Sequence, residues 1–171
     1  MSIATHLHDA SLDELLAETA ATRGELEAFV AALPAERLLL PGPDGWTMKD
    51  HLAHIAAWDA ALVAVLRREP WYAGFGIEID PAAGFDAIND RIRAASAAHP
   101  LRQVLSAFRG NRAALVGALR VLDPGALDQP LEAWQPGVGV PAGEPLRVWV
   151  LDVLIMHDRA HLDWLRAYPA G

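Results

Sequence analysis

The sequence predicts an all-α protein, a bundle of four long helices with one further short or broken helix. Three observations carry this. Apolar residues recur in steps of three and four along five segments, which is the spacing of one helix face. Each segment is bounded by a capping residue, a proline or a glycine. Nowhere does an alternation of apolar and polar residues run long enough to make a strand.

The first helix begins at Ser11-Leu12-Asp13-Glu14, a capping box in which the Ser11 hydroxyl and the Glu14 carboxylate each take a backbone N–H of the first turn. Its apolar side is Leu12, Leu15, Leu16, Thr19, Leu26, Phe29, Val30 and Leu33, and Pro34 ends it. Residues 34–45 are a connection punctuated by Pro41-Gly42-Pro43-Asp44-Gly45. Thr47 caps the second helix, Asp50 completes an acidic capping box, and Trp46 is placed to pack on the first turns. This helix is expected to reach about Arg68, ahead of Pro70. It presents two neighbouring lines: Leu52, Ile55, Leu62 and Leu66, and beside them His51, His54, Trp58, Ala61 and Val65.

Residues 70–81 form a loop rich in aromatics, with Trp71, Tyr72 and Phe75 available to cover the core or to line a pocket mouth. A third helix is expected over 82–98, with Phe85, Ile88, Ile92 and Ala95 inward, broken by His99-Pro100. A fourth runs over 101–122, with Leu101, Val104, Leu105, Phe108, Leu115, Val116, Leu119 and Leu122 apolar, and Asp123-Pro124-Gly125 stops it. Residues 128–144 are the longest irregular stretch and carry Trp134; loops of this length in compact domains are often functional. Pro145 opens the last helix at the position proline favours, and the helix is expected to end near Tyr168.

A chain of 171 residues is long enough to bury a core as one domain, residues 1–171. A net charge of -8 argues against nucleic acid and anionic membrane surfaces as partners, since both need clustered lysine and arginine. No apolar stretch reaches the roughly 18 residues that span a bilayer, and the first residues have no basic start followed by an apolar run, so a cytoplasmic location is expected. Cysteine is absent, which excludes disulfides, thiolate metal ligands and a cysteine nucleophile. Any metal must be held by nitrogen and oxygen, and any thiol in the chemistry must arrive as a co-substrate.

Chemistry concentrates on the last helix. One stripe of it runs Leu146, Val150, Val153, His157, His161, Trp164: an apolar face interrupted by two histidines one turn apart, close enough to reach one ion. An open catalytic metal site commonly has three protein ligands, and three histidines are one such set. His54 on the second helix is the first candidate for the third ligand, with His51, one turn earlier on the same side, as its competitor. Asp158 stands where the zincin motif His-Glu-x-x-His has glutamate, one methylene shorter. Asp158 and Asp59 are the candidate acid–base residues, Asp158 also to orient a ligand histidine or a water. Against that stands a plain solvated helix face for both, the more so for Asp59. Trp58, Trp71, Tyr72 and Trp134 are candidates for a pocket wall, with ordinary packing as the alternative.

The stretch Trp46-Thr47-Met48-Lys49-Asp50-His51-Leu52-Ala53-His54 resembles a signature of the DinB/YfiT-like superfamily of metalloenzymes, in which a tryptophan and a helix cap precede a metal-binding histidine eight residues after the tryptophan. The same superfamily carries a late His-x-x-x-His, matched here by His157 and His161. The resemblance implies a DinB-like four-helix bundle, a divalent metal cation (nickel, zinc or iron) on His54, His157 and His161, and often a homodimer. It favours His54 over His51. Lys49-Asp50-His51-Leu52-Ala53-His54-Ile55-Ala56-Ala57-Trp58 also resembles the ClbS/DfsB-like branch, which includes metal-independent protectors against electrophilic metabolites. Other relatives include thiol-dependent S-transferases and mycothiol-dependent maleylpyruvate isomerases. The family therefore implies hydrolysis, or transfer of a low-molecular-weight thiol to a small-molecule electrophile. A metal-free hydrolase and a non-catalytic binding bundle are the alternatives.

Overall fold

The computed structural model describes residues 7–135 and 143–168. Much of the irregular stretch expected over 128–144, residues 136–142, lies outside them, as does Pro169. The described residues are helical, with no strand among them beyond two isolated bridges, Pro41 with Thr47 and Pro130 with Pro145.

The long helices are α1 (Leu12–Ala31), α2 (Met48–Leu66), α3 (Phe85–Ser96) and α4 (Leu101–Arg120). The last helix has three parts: α5 (Leu146–Leu151), a π-helical turn (Asp152–Met156) and α6 (His157–Arg166). It was expected to be uninterrupted. Within the π turn the His157 N–H reaches back to the Asp152 carbonyl, five residues away, so the turn holds one residue more than an α-helix would.

Both capping boxes form. Ser11 and Glu14 cap α1, while the Thr47 and Asp50 side chains cap α2 reciprocally, with the Thr47 N–H donating to Asp50 Oδ2 at 2.9 Å. The α2 C-terminus closes with the Arg68 N–H on the Val65 carbonyl and the Glu69 N–H on the Ala64 carbonyl. That motif needs a left-handed residue, and Arg68 takes φ +60 where glycine is usual. Its side chain compensates: Arg68 Nη1 donates to the Ala133 carbonyl at 3.0 Å and the guanidinium lies over the Trp134 ring.

α3 starts at Phe85 rather than at 82. Asp80 takes the Ala82 N–H on its side chain and the Ala83 N–H on its carbonyl, which commits that segment to a turn. Phe85 is 63% exposed, not inward, and Ser96 takes the buried place expected for Ala95.

Two apolar clusters make the core. One gathers Leu15, Leu62, Leu115 and Leu154; the other gathers Leu26, Leu52, Phe108 and Leu162. Where α1, α2, α4 and the last helix pass from one cluster to the other, each places a buried charged residue: Arg23 on α1, Asp59 on α2, Arg112 on α4 and Asp158 on α6. The bundle is two hydrophobic blocks joined by one ionic layer.

The aromatic loop after α2 folds as a tight turn, Trp71–Phe75, laid directly on α2. Gly74 makes the approach possible, because a Cβ there would lie 2.3 Å from the Ala60 carbonyl oxygen, a backbone atom that cannot swing away. Gly74→Ala is expected to destabilise the fold by about 1–3 kcal/mol, the cost of overpacking, seen as a lowered urea midpoint with an unchanged m-value. No helix among the described residues is long and apolar enough to cross a membrane.

Candidate metal centre

The capping box fixes where α2 begins and hence which way its first two turns face. His51 and His54 point from those turns toward α6, with the Trp46 ring 5.2 Å from His51 and 5.8 Å from His54. Trp46 thus packs against the first turns of α2, as its position before the cap implied. α6 begins at His157, directly after the π turn.

There the three expected ligands meet. His157 Nε2 lies 2.8 Å from His54 Nε2 and 3.0 Å from His161 Nε2. One ring nitrogen from each of the three lies within 4.8 Å of the others. The sequence left His51 in competition with His54; the geometry brings His54 into the group. His51 stands behind it, with Nδ1 at 3.1 Å from His161 Nδ1.

Three converging nitrogens are a poor hydrogen-bonded unit. A neutral imidazole has one N–H and one lone pair, so a shared point cannot satisfy three rings. Nδ1 of His54 and Nδ1 of His157 are buried with no hydrogen-bond partner among the described residues. Protonation does not resolve it. Burial, then the neighbouring His157 and His51, pushes His54 down to about 2. Burial, then Arg112 and Arg23, pushes His157 down to about 4. Burial and the other histidines also hold His161 far below its usual value. All three are neutral near pH 7, so their lone pairs are free. A divalent cation fits this donor set: zinc at about 2.0–2.1 Å from each nitrogen would hold the nitrogens roughly 3.3 Å apart, a slight opening of the distances seen.

Asp59 and Asp158 lie in the ionic layer. Asp59 is 0% exposed and contacts Arg23 Nη2 at 2.9 Å and Arg112 Nη2 at 2.8 Å. Asp158, also 0% exposed, contacts Arg23 Nε at 3.1 Å and Arg112 Nη2 at 3.0 Å. Neither occupies the solvated helix face weighed for it. Burial pushes Asp158 up to about 6, against the pull of both arginines. Arg112 also donates through Nη1 to the Leu154 carbonyl inside the π turn at 3.0 Å. The layer therefore anchors the turn that sets His157, and its aspartates are engaged by arginine.

A cavity of about 680 Å³ opens beside His54 and His157, walled by Trp58, Phe85, Trp149 and Met156. Of the tryptophans considered for a pocket wall, only Trp58 lines it; its ring stacks at 5.8 Å on Trp71, which belongs to the core with Trp134. Trp164, the last member of the expected inward stripe, is 56% exposed and lines a second opening of about 470 Å³ onto the three histidines. Asp44, Asp86 and Asp90 line that opening, while Glu144 and Asp152 line the first; neither has a lysine or arginine in its described wall.

The sequence reading missed Arg23, Arg112, Asp44 and Tyr168. The two arginines do leave a trace: each occupies a place in its helix where the apolar spacing calls for a hydrophobic residue. Asp44 and Tyr168 come from a loop and a chain end, with no periodicity to mark them.

No curated protein and no solved structure matches the chain. The family model described as the DinB superfamily matches residues 18–165, a span holding all three histidines, the capped start of α2 and the ionic layer, and the chain belongs to that superfamily.

Proposed function

We propose that this chain is a metal-dependent enzyme acting on a small organic molecule, with a divalent cation held by His54, His157 and His161. The convergence of three neutral Nε2 atoms beside an apolar cavity carries this reading. When bound, the ion supplies Lewis acidity, which makes a water or a thiol nucleophilic near neutral pH. The reaction is hydrolysis, or addition of a low-molecular-weight thiol to an electrophile; with no cysteine in the chain, that sulfur is brought by a co-substrate.

The protein's own part is binding and orientation. Trp58, Phe85 and Trp149 supply flat apolar walls for the substrate, and Asn89, which accepts from Trp58 Nε1 at 3.2 Å, supplies a polar contact at the cavity edge. Carboxylates line both openings and, among the described residues, no lysine or arginine does, so the ion itself would be the positive partner for an anionic group of a substrate.

The test is metal analysis of untagged protein, followed by a screen of electrophiles with and without added thiol. About one equivalent of zinc, nickel or iron per chain is expected, falling at least 100-fold in affinity for His157→Ala. Less than about a tenth of an equivalent, with refolding indifferent to chelator, overturns the metal reading. Turnover that requires thiol assigns the transferase reaction; turnover without thiol assigns hydrolysis.

A further inference from the structure

His51 is buried, 2% exposed, yet it is not one of the three converging ligands. Its surroundings define a hydrogen-bond chain with a direction. His51 Nε2 lies 2.7 Å from the Tyr168 hydroxyl and 3.2 Å from Asp44 Oδ2. The Tyr168 hydroxyl lies 3.0 Å from Asp44 Oδ1 and 3.0 Å from the Trp46 carbonyl. On the other side, His51 Nδ1 faces His161 Nδ1 at 3.1 Å.

We infer that His51 is a positioning residue: anchored by Asp44 and Tyr168, it holds His161 with its proton on Nδ1 and its Nε2 lone pair turned into the three-histidine centre.

The argument is one of donors and acceptors. Asp44 is a carboxylate, and the Trp46 carbonyl can only accept. If His51 Nε2 were bare, the Tyr168 hydrogen would have to serve it. Asp44 Oδ1 and the Trp46 carbonyl would then both face hydroxyl lone pairs, and Asp44 Oδ2 would face the bare nitrogen. With the proton on His51 Nε2, that N–H is shared by the Tyr168 oxygen and Asp44, and Tyr168 donates onward to Asp44 or Trp46. Only one acceptor pair remains mismatched. His51 Nδ1 is then a lone pair, and the 3.1 Å contact requires His161 to donate from Nδ1. A neutral imidazole protonated at Nδ1 is bare at Nε2. The chain from Asp44 thus reaches through two rings and ends on the atom that His161 offers to the centre. Tyr168 is held in register by packing: a Cβ at Gly42 would fall 2.0 Å from its ring.

The metal-affinity arm of the test rests on the proposed function; the tautomer arm does not. Long-range proton–nitrogen NMR of the imidazoles in metal-free protein reads the tautomer directly. The expected result is His161 protonated at Nδ1 and bare at Nε2, with that preference lost in His51→Leu. The conservative His51→Asn sets an amide oxygen about where Nδ1 stood and is expected to keep the tautomer. Zinc affinity, measured by chelator competition, is expected to fall about 10–100-fold in His51→Leu and to stay within a few-fold of wild type in His51→Asn. His161 found protonated at Nε2 in the wild type overturns the inference, and so does equal zinc affinity for all three proteins. Should the wild type bind no zinc, the proposed function fails, and the wild-type spectrum still decides this inference.

Discussion

Asp59→Ala is expected to lower stability by about 3–5 kcal/mol, which for a chain of this size moves the thermal midpoint down by roughly 6–20 °C. The reason is the ionic layer. Arg23 and Arg112 are 5% and 4% exposed, and they are neutralised there by Asp59 and Asp158. Removing one carboxylate leaves two buried guanidiniums with one counter-charge. Asp59 is the more costly to lose, because Arg112 grips it with both Nε and Nη2, at 3.0 and 2.8 Å, while Arg23 adds a third contact at 2.9 Å. Replacing the whole layer at once has a different outcome. Apolar residues at positions 23, 59, 112 and 158 would fuse the two hydrophobic blocks, and buried ionic groups exchanged together for apolar ones typically cost little or even stabilise. The check is urea unfolding of Asp59→Ala, of Arg23→Leu, and of the two combined. A coupling energy near zero would remove the layer from the account of stability. The quadruple variant also loses the Arg112 bond to the Leu154 carbonyl that holds the π turn, so it should fold and yet bind zinc less well than wild type.

That layer also marks the limit of what the sequence made legible. The helices could be read because their signals are local: Ser11 and Glu14, Thr47 and Asp50, and the prolines that stop the chain. The three histidines could be read because a pair one turn apart and a capped Trp46–His54 spacing are also local patterns. The charged core could have been seen in the same way. Asp59 falls in the line Leu52, Ile55, Leu62, Leu66, and Arg112 falls between Phe108 and Leu115. Each keeps the apolar spacing while breaking the apolar chemistry, which is how a buried, paired charge looks in one dimension. The π turn could not be seen. A single extra residue shifts the register beyond it, so a stripe drawn from Leu146 with uninterrupted helical steps ends on exposed Trp164 while Leu162 and Leu165 turn inward. Asp44 and Tyr168 could not be seen either: they meet His51 through tertiary closure of a loop and a chain end.

Metal-free protein is expected to lose stability steeply as pH falls below 6.5, because the site keeps its imidazoles neutral. In the unfolded chain a histidine takes its proton near 6.5. In the folded chain His157 waits until about 4 and His54 until about 2, and His161 is displaced in the same direction. Unfolding between these values takes up protons, so the stability these groups contribute is present above pH 6.5 and is lost on the way down. Each proton is worth about 1.4 kcal/mol per pH unit. Asp158 works with the opposite sign. Raised to about 6, it protonates in the folded state first and returns part of the loss below that pH; Asp59, raised likewise by burial, adds to the return. His51 is displaced downward with the three ligands, and these imidazoles outnumber the two carboxyls, so the net result is a fall in stability from pH 7 to pH 5. Urea unfolding in chelator at pH 7, 6 and 5 measures it. In His157→Gln the slope between pH 6 and 5 should drop by a little under one proton, and an unchanged slope would show that His157 is not held neutral in the fold. The same displacement protects the folded site from competition. A surface histidine cluster loses zinc as pH passes below 6.5, since the metal must displace protons. Here the folded ligands carry no protons to displace until well below pH 6. The zinc-induced rise in the thermal midpoint should therefore be as large at pH 5.5 as at pH 7, even while the metal-free baseline falls.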